Sequence, residues 1–266
     1  MRDVEIFIGW DPRERLAWNV CARSIIAQSL IPPVIQPIGM ATLGDWYKRP
    51  TERRDGVLYD MISDAPMATA FALARFFVPF VAKARWALFV DGDFLFRSDV
   101  AEIFAYADPR YAVQVVKHQH LPVETVKMDG QVQTAYARKN WSSLILWNLT
   151  HTANNRRLWA EEANTQPGLW LHQFGWLKDH EIGELPVAWN WLEGSSASAI
   201  EPKAVHYTRG TPDMIDGRLP YQSEWLQHVC ASDGAALELD SWARLENKKV
   251  VTPEPYKCAL ADCVPA

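Results

Sequence analysis

Short apolar runs alternate with longer segments of mixed polarity along the first part of the chain. Residues 4–8 are predicted to form a strand and residues 12–30 a helix, because Asp11 followed by proline is typical of a capped helix start. The pattern then repeats, with a strand at 33–38, a helix at 67–82 and a strand at 86–90. Strands joined through helices predict a mostly parallel sheet that is buried on both faces.

The rest of the chain adds shorter elements to this pattern. Residues 40–64, which include the charged stretch KRPTERRDG, are predicted to form an irregular surface loop. The chain has no internal repeat and no Gly/Ser-rich linker, so we predict one α/β domain over 1–250 and an extended tail over 251–266. The further predicted elements are strands at 111–116, 143–147 and 204–207 and helices at 152–164 and 235–245.

Charge and composition exclude some classes of protein. A net charge of -5 over 266 residues argues against a dedicated nucleic-acid-binding protein. The longest apolar stretch, 65–82, contains Arg75 and Pro79, so it is predicted to be buried rather than to span a membrane. We identify no signal peptide and no metal-ligand spacing among the four cysteines, so we expect a cytoplasmic protein with reduced thiols.

Two acids follow the predicted strand at 86–90, in the stretch ALFVDGDFLF. In extended backbone, Asp91 and Asp93 point to the same side, and Gly92 leaves room for a ligand between them. Two carboxylates held so close repel each other unless a cation lies between them, and Mg²⁺ or Mn²⁺ prefers such oxygen ligands. The alternative is an ordinary turn at a strand end, and the motif alone does not separate the two interpretations.

A series of motifs around this acid pair carries a family resemblance. In chain order they are the first strand with Asp11, then LARFFVPF, LFVDGDFLF, KNWSSLILWNL, LHQFGWL and AVHYTRG, which together span about residues 4–210. Their order resembles that of GT-A fold glycosyltransferases, and of glycosyltransferase family 8 in particular. The resemblance implies a single GT-A type domain with a Rossmann-like nucleotide-binding half.

The resemblance also implies a metal site and a donor site. Asp91, Asp93 and His206 are expected to bind Mn²⁺ or Mg²⁺, which would hold the diphosphate of a nucleotide sugar, with a UDP-sugar as the expected donor. Asp11 is expected to contact the nucleoside and Arg75 the donor. Each has a structural alternative: His206 as a packed core histidine, Asp11 as a helix cap only, and Arg75 as the ion-pair partner of a site acid.

Further site residues are implied with less complete matches to the family. Gln173 matches a glutamine near the reacting sugar carbon, although His172 replaces the aspartate that usually precedes it. The family's diphosphate-contacting lysine is missing, so Arg209 or Lys203 would have to replace it. The remaining candidates are Asn140, for the donor or acceptor, and Asp129 in KMDGQVQ, for the acceptor or, in an inverting enzyme, as general base.

The expected function is a metal-dependent glycosyltransferase that retains the anomeric configuration and acts on an unknown acceptor. A sugar nucleotidyltransferase is an alternative, but the stretch IGWDPRE lacks the glycine-rich basic loop that such an enzyme needs. A non-catalytic glycan-binding protein of the same fold is another. For that class, Trp189 and Trp191 are the candidates for stacking on a sugar.

Overall fold

The computed structural model describes residues 4–119, 138–154, 156–230 and 233. This part of the chain forms twelve strands in three sheets. The strands are β1 Val4–Gly9, β2 Ile35–Ile38, β3 Thr51–Arg54, β4 Val57–Asp60, β5 Ala65–Pro66, β6 Trp86–Val90, β7 Phe94–Phe96, β8 Val113–Val115, β9 Leu144–Asn148, β10 Ile182–Glu184, β11 Trp191–Leu192 and β12 Ala204–His206.

The helices are short except for the first and the fifth. The α-helices are α1 Arg15–Gln28, α2 Met40–Leu43, α3 Val78–Val81, α4 Ala101–Phe104, α5 Arg156–Thr165, α6 Gly168–His172 and α7 Gln222–Gln227. The 3-10 turns are Pro12–Glu14, Gly44–Trp46, Ala74–Phe77, Trp141–Ser143, Thr152–Asn154, Asp179–Glu181 and Val187–Asn190. Within the described residues, no helix is both long enough and apolar enough to span a bilayer.

The largest sheet has six strands in the order β10-β8-β9-β6-β1-β2. Strand β1 pairs in parallel with β2 and β6, and β8 with β10, whereas β9 runs antiparallel between β6 and β8. Every residue of β6 is buried, because apolar side chains cover both faces of the sheet. The predicted α/β fold with a mostly parallel central sheet is confirmed.

A second sheet, in the order β11-β12-β7, brings a distant part of the chain to the end of β6. Strand β7 directly follows the acid pair, and β12 lies antiparallel to it with His206 opposite Phe94. The backbone N–H of Tyr207 donates to the carbonyl of Asp93 at 3.1 Å. This pairing places His206 beside the two acids.

A third sheet corrects the prediction of an irregular loop over 40–64. Strands β3 and β4 form a hairpin there, with Asp55 and Gly56 at positive φ in its turn, and β5 pairs with β4. The polar composition is misleading, because the carboxylate of Asp60 is buried in an ion pair with the guanidinium of Arg49 at 2.6 Å. In addition, β3 carries charged residues at its exposed positions, so its sequence is similar to that of a surface loop.

The predicted helix at 67–82 is also corrected. Only its end is helical, as the turn Ala74–Phe77 and α3. Pro79 lies in the first turn of α3, where its missing N–H costs no hydrogen bond, whereas deeper inside one long helix it would break the bonding ladder. The predicted helix at 235–245, the domain boundary at 250 and the tail at 251–266 lie outside the described residues.

Candidate functional site

A cleft of about 1020 Å³ opens beyond the carboxyl ends of β1 and β6. This is the edge at which open α/β sheets bind ligands. Its lining draws on the acid pair, the β4–β5 region, α6 and the segment after β12. It includes Glu14, Ser63, Arg75, Asp91, Asp93, Asn140, Ser142, His172, His206 and Arg209.

The acid pair is held rigidly at this edge. The backbone N–H of Asp91 donates to the carbonyl of Ser143 at 2.9 Å, which extends the pairing of β6 with β9 by one residue. A Cβ atom at Gly92 would lie 2.9 Å from the carbonyl oxygen of Gly9, so a larger residue would push the motif away from β1. The side chains of Asp91 and Asp93 are 14% and 28% exposed, respectively, and they face the cleft.

The arrangement of His206 leaves its second ring nitrogen facing the acids. The amide nitrogen of Asn190 donates to Ser143 Oγ at 2.9 Å, so Asn190 Oδ1 accepts from His206 Nδ1 at 2.9 Å. This assigns the proton to Nδ1 and leaves a lone pair on Nε2. His206 Nε2 lies 3.4 Å from Asp93 Oδ1, and the ring stacks on Phe94 with centroids 4.4 Å apart.

Asp91, Asp93 and His206 fit a divalent cation. One ligand atom from each residue lies within 4.8 Å of the other two. Asp93 Oδ1 is buried without a hydrogen bond, and Nε2 of His206 faces it with a lone pair. Such a set of acceptors is stabilised by a cation. Two carboxylate oxygens and one imidazole nitrogen suit Mn²⁺ or Mg²⁺.

Arg75 partly compensates the charge of the acid pair. Its Nη1 donates to the carbonyl of Ser142 at 2.9 Å and lies 2.8 Å from Asp91 Oδ1, and its guanidinium lies 5.0 Å from the ring of Phe89. Burial raises the pKa of Asp91 to about 6, because Arg75 only partly offsets the cost of desolvation and Asp93 adds repulsion. The ion pair with a site acid, which was the structural alternative to donor contact for Arg75, is therefore observed.

Asp11 caps the turn after β1, as predicted, and it does not line the cleft. Its carboxylate accepts from Arg13 N, Nε and Nη2 at 3.0, 3.0 and 2.7 Å, and from Ala70 N at 2.8 Å. Burial raises its pKa, but the hydrogen bonds from Arg13 and Ala70 outweigh this effect and leave the pKa lowered. The carboxylate is therefore stabilised by the protein itself.

The other predicted site residues divide between the cleft and its surroundings. Arg209 lines the cleft and binds the buried Glu193 through Nε at 2.9 Å. Asn140 also lines it, in a left-handed backbone conformation. Lys203 does not line it, and its ammonium pairs with Glu102.

Gln173 is not among the residues that line the cleft, and its carbonyl accepts a hydrogen bond from Arg138. The preceding residue, His172, does line the cleft, and its Nδ1 lies 2.8 Å from Ser142 Oγ. Burial and the charges of Arg75 and Arg49 lower the pKa of His172 to about 3, so its ring is neutral. Asp129 lies outside the described residues.

Sequence reasoning missed Asn190 and Glu14 as site residues. Asn190 is fully buried and fixes the imidazole of His206, and its place next to Trp189 and Trp191 hid it in an aromatic segment. Those two tryptophans are buried in the core and are not available to stack on a glycan. Glu14, the last residue of the turn after β1, lines the cleft together with the acid pair.

Several solved glycosyltransferase structures resemble this chain. WbbM, a bifunctional glycosyltransferase, matches with a TM-score of 0.61 and 15% identity over 91% of this chain and 52% of its own, so the chain spans about half its length. The galactosyltransferase LgtC, solved with donor and acceptor sugar analogues, matches with a TM-score of 0.53 and 14% identity over 88% of this chain and 100% of its own. GlyE of Streptococcus pneumoniae TIGR4 matches with a TM-score of 0.54 and 13% identity over 94% of this chain and 64% of its own. These similarities show that the chain has the GT-A fold.

Similarity in sequence identifies a relative. No protein-family model matches the chain. Protein CDI of Arabidopsis thaliana is 45% identical to it over 213 residues, which make up 78% of this chain and 78% of the relative. The chain therefore belongs to the same family as Protein CDI of Arabidopsis thaliana.

Proposed function

We propose that this protein is a metal-dependent glycosyltransferase of the family 8 type. It moves a sugar from a nucleotide sugar, with a UDP-sugar as the expected donor, to an acceptor with retention of configuration. The observation that carries the proposal is the convergence of Asp91, Asp93 and His206 at the carboxyl edge of a GT-A sheet, with ligand atoms within 4.8 Å of one another.

The residues that hold the cation are Asp91, Asp93 and His206. When bound there, Mn²⁺ or Mg²⁺ would act as a Lewis acid that stabilises the negative charge developing on a departing nucleoside diphosphate. Asn190 holds His206 in the tautomer that presents Nε2, and such support commonly governs metal affinity. Arg75 fixes the position of Asp91 and lies beside the space that the donor would occupy.

Arg209 is the cation that we propose for donor binding. It lines the cleft on the segment that follows His206, and the carboxylate of Glu193 holds its guanidinium in place. Lys203, the other candidate, pairs with Glu102 and does not line the cleft. The position of Arg209 therefore favours it as the substitute for the lysine found in the family.

The reacting end of the donor is proposed to lie near Asn140, His172 and Gln173. Asn140 and His172 line the cleft, and Gln173 follows His172 in the chain. Retention is part of the proposal because it follows from the family resemblance. Asp129 is the proposed acceptor-side residue, and it would be the general base if the reaction inverts instead.

The test is a thermal-shift screen of nucleotide sugars with and without Mn²⁺, followed by a hydrolysis or transfer assay with the donor that binds. The wild type should be stabilised by one donor only when metal is present. Asp93→Asn should lose this response and reduce turnover by about a hundredfold to a thousandfold, a range typical for loss of electrostatic stabilisation of a transition state.

The matched control is Asp45→Asn, which removes a carboxylate at an exposed position away from the cleft. This variant should behave as the wild type does. Donor binding and hydrolysis that persist unchanged in Asp93→Asn with Mn²⁺ would contradict the assigned site. A wild type that shows no metal-linked response to any nucleotide sugar would contradict the proposed function.

A further inference from the structure

One side of the cleft is apolar, and the proposed function assigns no role to it. Its exposed side chains are Pro66 of β5 and Pro167 and Leu169 at the start of α6, which together form the apolar wall of the cleft. Leu169 is 50% exposed. Met214, on the segment that follows β12, is 41% exposed and also lines the cleft. Apolar side chains that stay exposed inside a cleft indicate a ligand with an apolar surface.

The polar groups around the apolar wall are engaged within the protein. The hydroxyl of Ser63 donates to Asp60 Oδ2 and accepts from the N–H of Gly168 at 2.8 Å. The carbonyls of Pro167 and Leu169 accept from backbone N–H groups four residues further on, and the prolines have no N–H to donate. Among the described residues of this wall, these groups are therefore poorly placed to replace the water around the hydroxyls of a sugar.

The lining of the cleft also gives a sugar no ring to stack on. Phe71 and Tyr207 line the described part of the cleft, but both rings are buried, and that part contains no exposed phenylalanine, tyrosine or tryptophan. The exposed side chains of Leu169 and Met214 are aliphatic instead, and a methionine adapts its shape to an apolar partner. This lining suits an alkyl chain better than a sugar ring.

The apolar wall adjoins the place where the sugar is transferred in the proposed function. A Cβ atom at Gly168 would lie 3.1 Å from Leu73 Cδ2. Two residues after Leu73, the Nη1 atom of Arg75 lies 2.8 Å from Asp91 Oδ1. The helix that begins at this wall ends at His172, which lines the cleft. An acceptor that reaches the anomeric carbon near His172 therefore places its neighbouring atoms against the wall.

We propose that the acceptor carries an alkyl chain close to the hydroxyl that receives the sugar, and that the apolar wall and Met214 bind this chain. The inference rests on the proposed function, because it takes transfer to occur beside Asp91 and Asp93. The acceptor oxygen forms a bond to the anomeric carbon, the bond from that carbon to the diphosphate breaks, and the hydroxyl proton leaves with the diphosphate. The alkyl chain stays unchanged, and its burial adds affinity for the acceptor.

The experiment compares the binding of hexyl β-D-glucoside and methyl β-D-glucoside by ligand-observed NMR titration, with UDP and Mn²⁺ present throughout. The wild type should bind the hexyl glucoside at least about tenfold more tightly, as expected if about two methylene groups are buried. In Leu169→Ser and in Met214→Ser this ratio should fall to about threefold or less, whereas Leu169→Met should keep it. Ile31→Ser is the matched control, because Ile31 is 60% exposed and does not line the cleft.

The ratio isolates the alkyl chain, because both probes carry the same sugar. Equal affinities in the wild type, or an unchanged ratio in both serine variants, overturn the inference while the proposed function stands. Cellobiose, which carries a second sugar in place of the chain, should bind more weakly than the hexyl glucoside. Tighter binding of cellobiose overturns the inference, because the wall then accommodates a sugar. A wild type that binds no UDP with Mn²⁺ overturns the proposed function and the acceptor role of the wall together.

Discussion

Two buried arginine–aspartate pairs border the same cleft, and they differ in how completely their acids are satisfied. Asp60 Oδ2 accepts from Arg49 Nη2 at 2.6 Å and from Ser63 N at 2.9 Å, while its Oδ1 accepts from Arg49 Nε at 2.9 Å. Asp91 Oδ1 lies 2.8 Å from Arg75 Nη1, which also donates to the carbonyl of Ser142, and Oδ1 of the neighbouring Asp93 is buried without a hydrogen bond. The first pair is complete within the protein, and the second is not.

The pKa values of the two acids follow this difference. Burial raises the pKa of Asp60, but the hydrogen bonds from Arg49 and Ser63 outweigh it and the net shift is downward. For Asp91 burial prevails over Arg75, and the neighbouring Asp93 adds repulsion. An Arg–Asp pair is therefore not in itself a sign of a functional site; an acid whose charge the fold leaves uncompensated is the better indicator.

The largest expected effect comes from Asp60→Asn in the first pair, set against Asp93→Asn next to the second pair. Asp60→Asn should lower the free energy of unfolding by about 3 kcal/mol or more, because it leaves the buried guanidinium of Arg49 without a counter-charge. Asp93→Asn should change it by less than about 1 kcal/mol in metal-free protein, since it relieves repulsion from Asp91. Urea denaturation of both variants measures the contrast, and equal losses of stability would contradict it.

A smaller effect is expected at Asn190, which supports His206 without lining the cleft. Asn190→Ala should weaken Mn²⁺ binding by about tenfold to a hundredfold, because His206 loses the partner that fixes its tautomer. Titration calorimetry with Mn²⁺ measures the change. Asn190→Asp, which can still accept from Nδ1, should recover most of the affinity, and a failure to recover it would argue for a general packing role instead.

The smallest effect concerns His172, whose pKa is lowered by burial and by the positive charges of Arg75 and Arg49. Its pKa is about 3 in the folded protein against 6.5 for the free side chain, so the unfolded state takes up a proton first as the pH falls. The contribution of this residue should therefore lower the free energy of unfolding by about 1 kcal/mol for each pH unit below pH 6.5. His172→Gln should show a shallower decline in urea denaturation between pH 6.5 and 4.5, and an identical slope would show that His172 is not held neutral.

The sequence predicted the elements whose signals are local. Continuous apolar runs identified β1 and β6, and the spacing of Asp91, Gly92 and Asp93 gave a metal site as one of two interpretations, the other being an ordinary turn. The hairpin of β3 and β4 was missed, because its charged residues are typical of an exposed loop. The sequence does not show that Asp60 of β4 is buried in an ion pair with Arg49. A pattern of polarity along the chain does not show which charges meet in space.

The sequence by itself determined the α/β pattern, the position of the acid pair at a strand end and the order of motifs that resembles the GT-A enzymes. These are properties of neighbouring residues and of their order. Only the tertiary structure decided which polar groups have hydrogen-bond partners within the protein. The carboxylate of Asp11 accepts from Arg13 and Ala70, whereas the charges of Asp91 and Asp93 are not fully compensated. The physical reason is that hydrogen bonding and burial depend on groups brought together from distant parts of the chain, as His206 is brought to Asp93 by the pairing of β12 with β7.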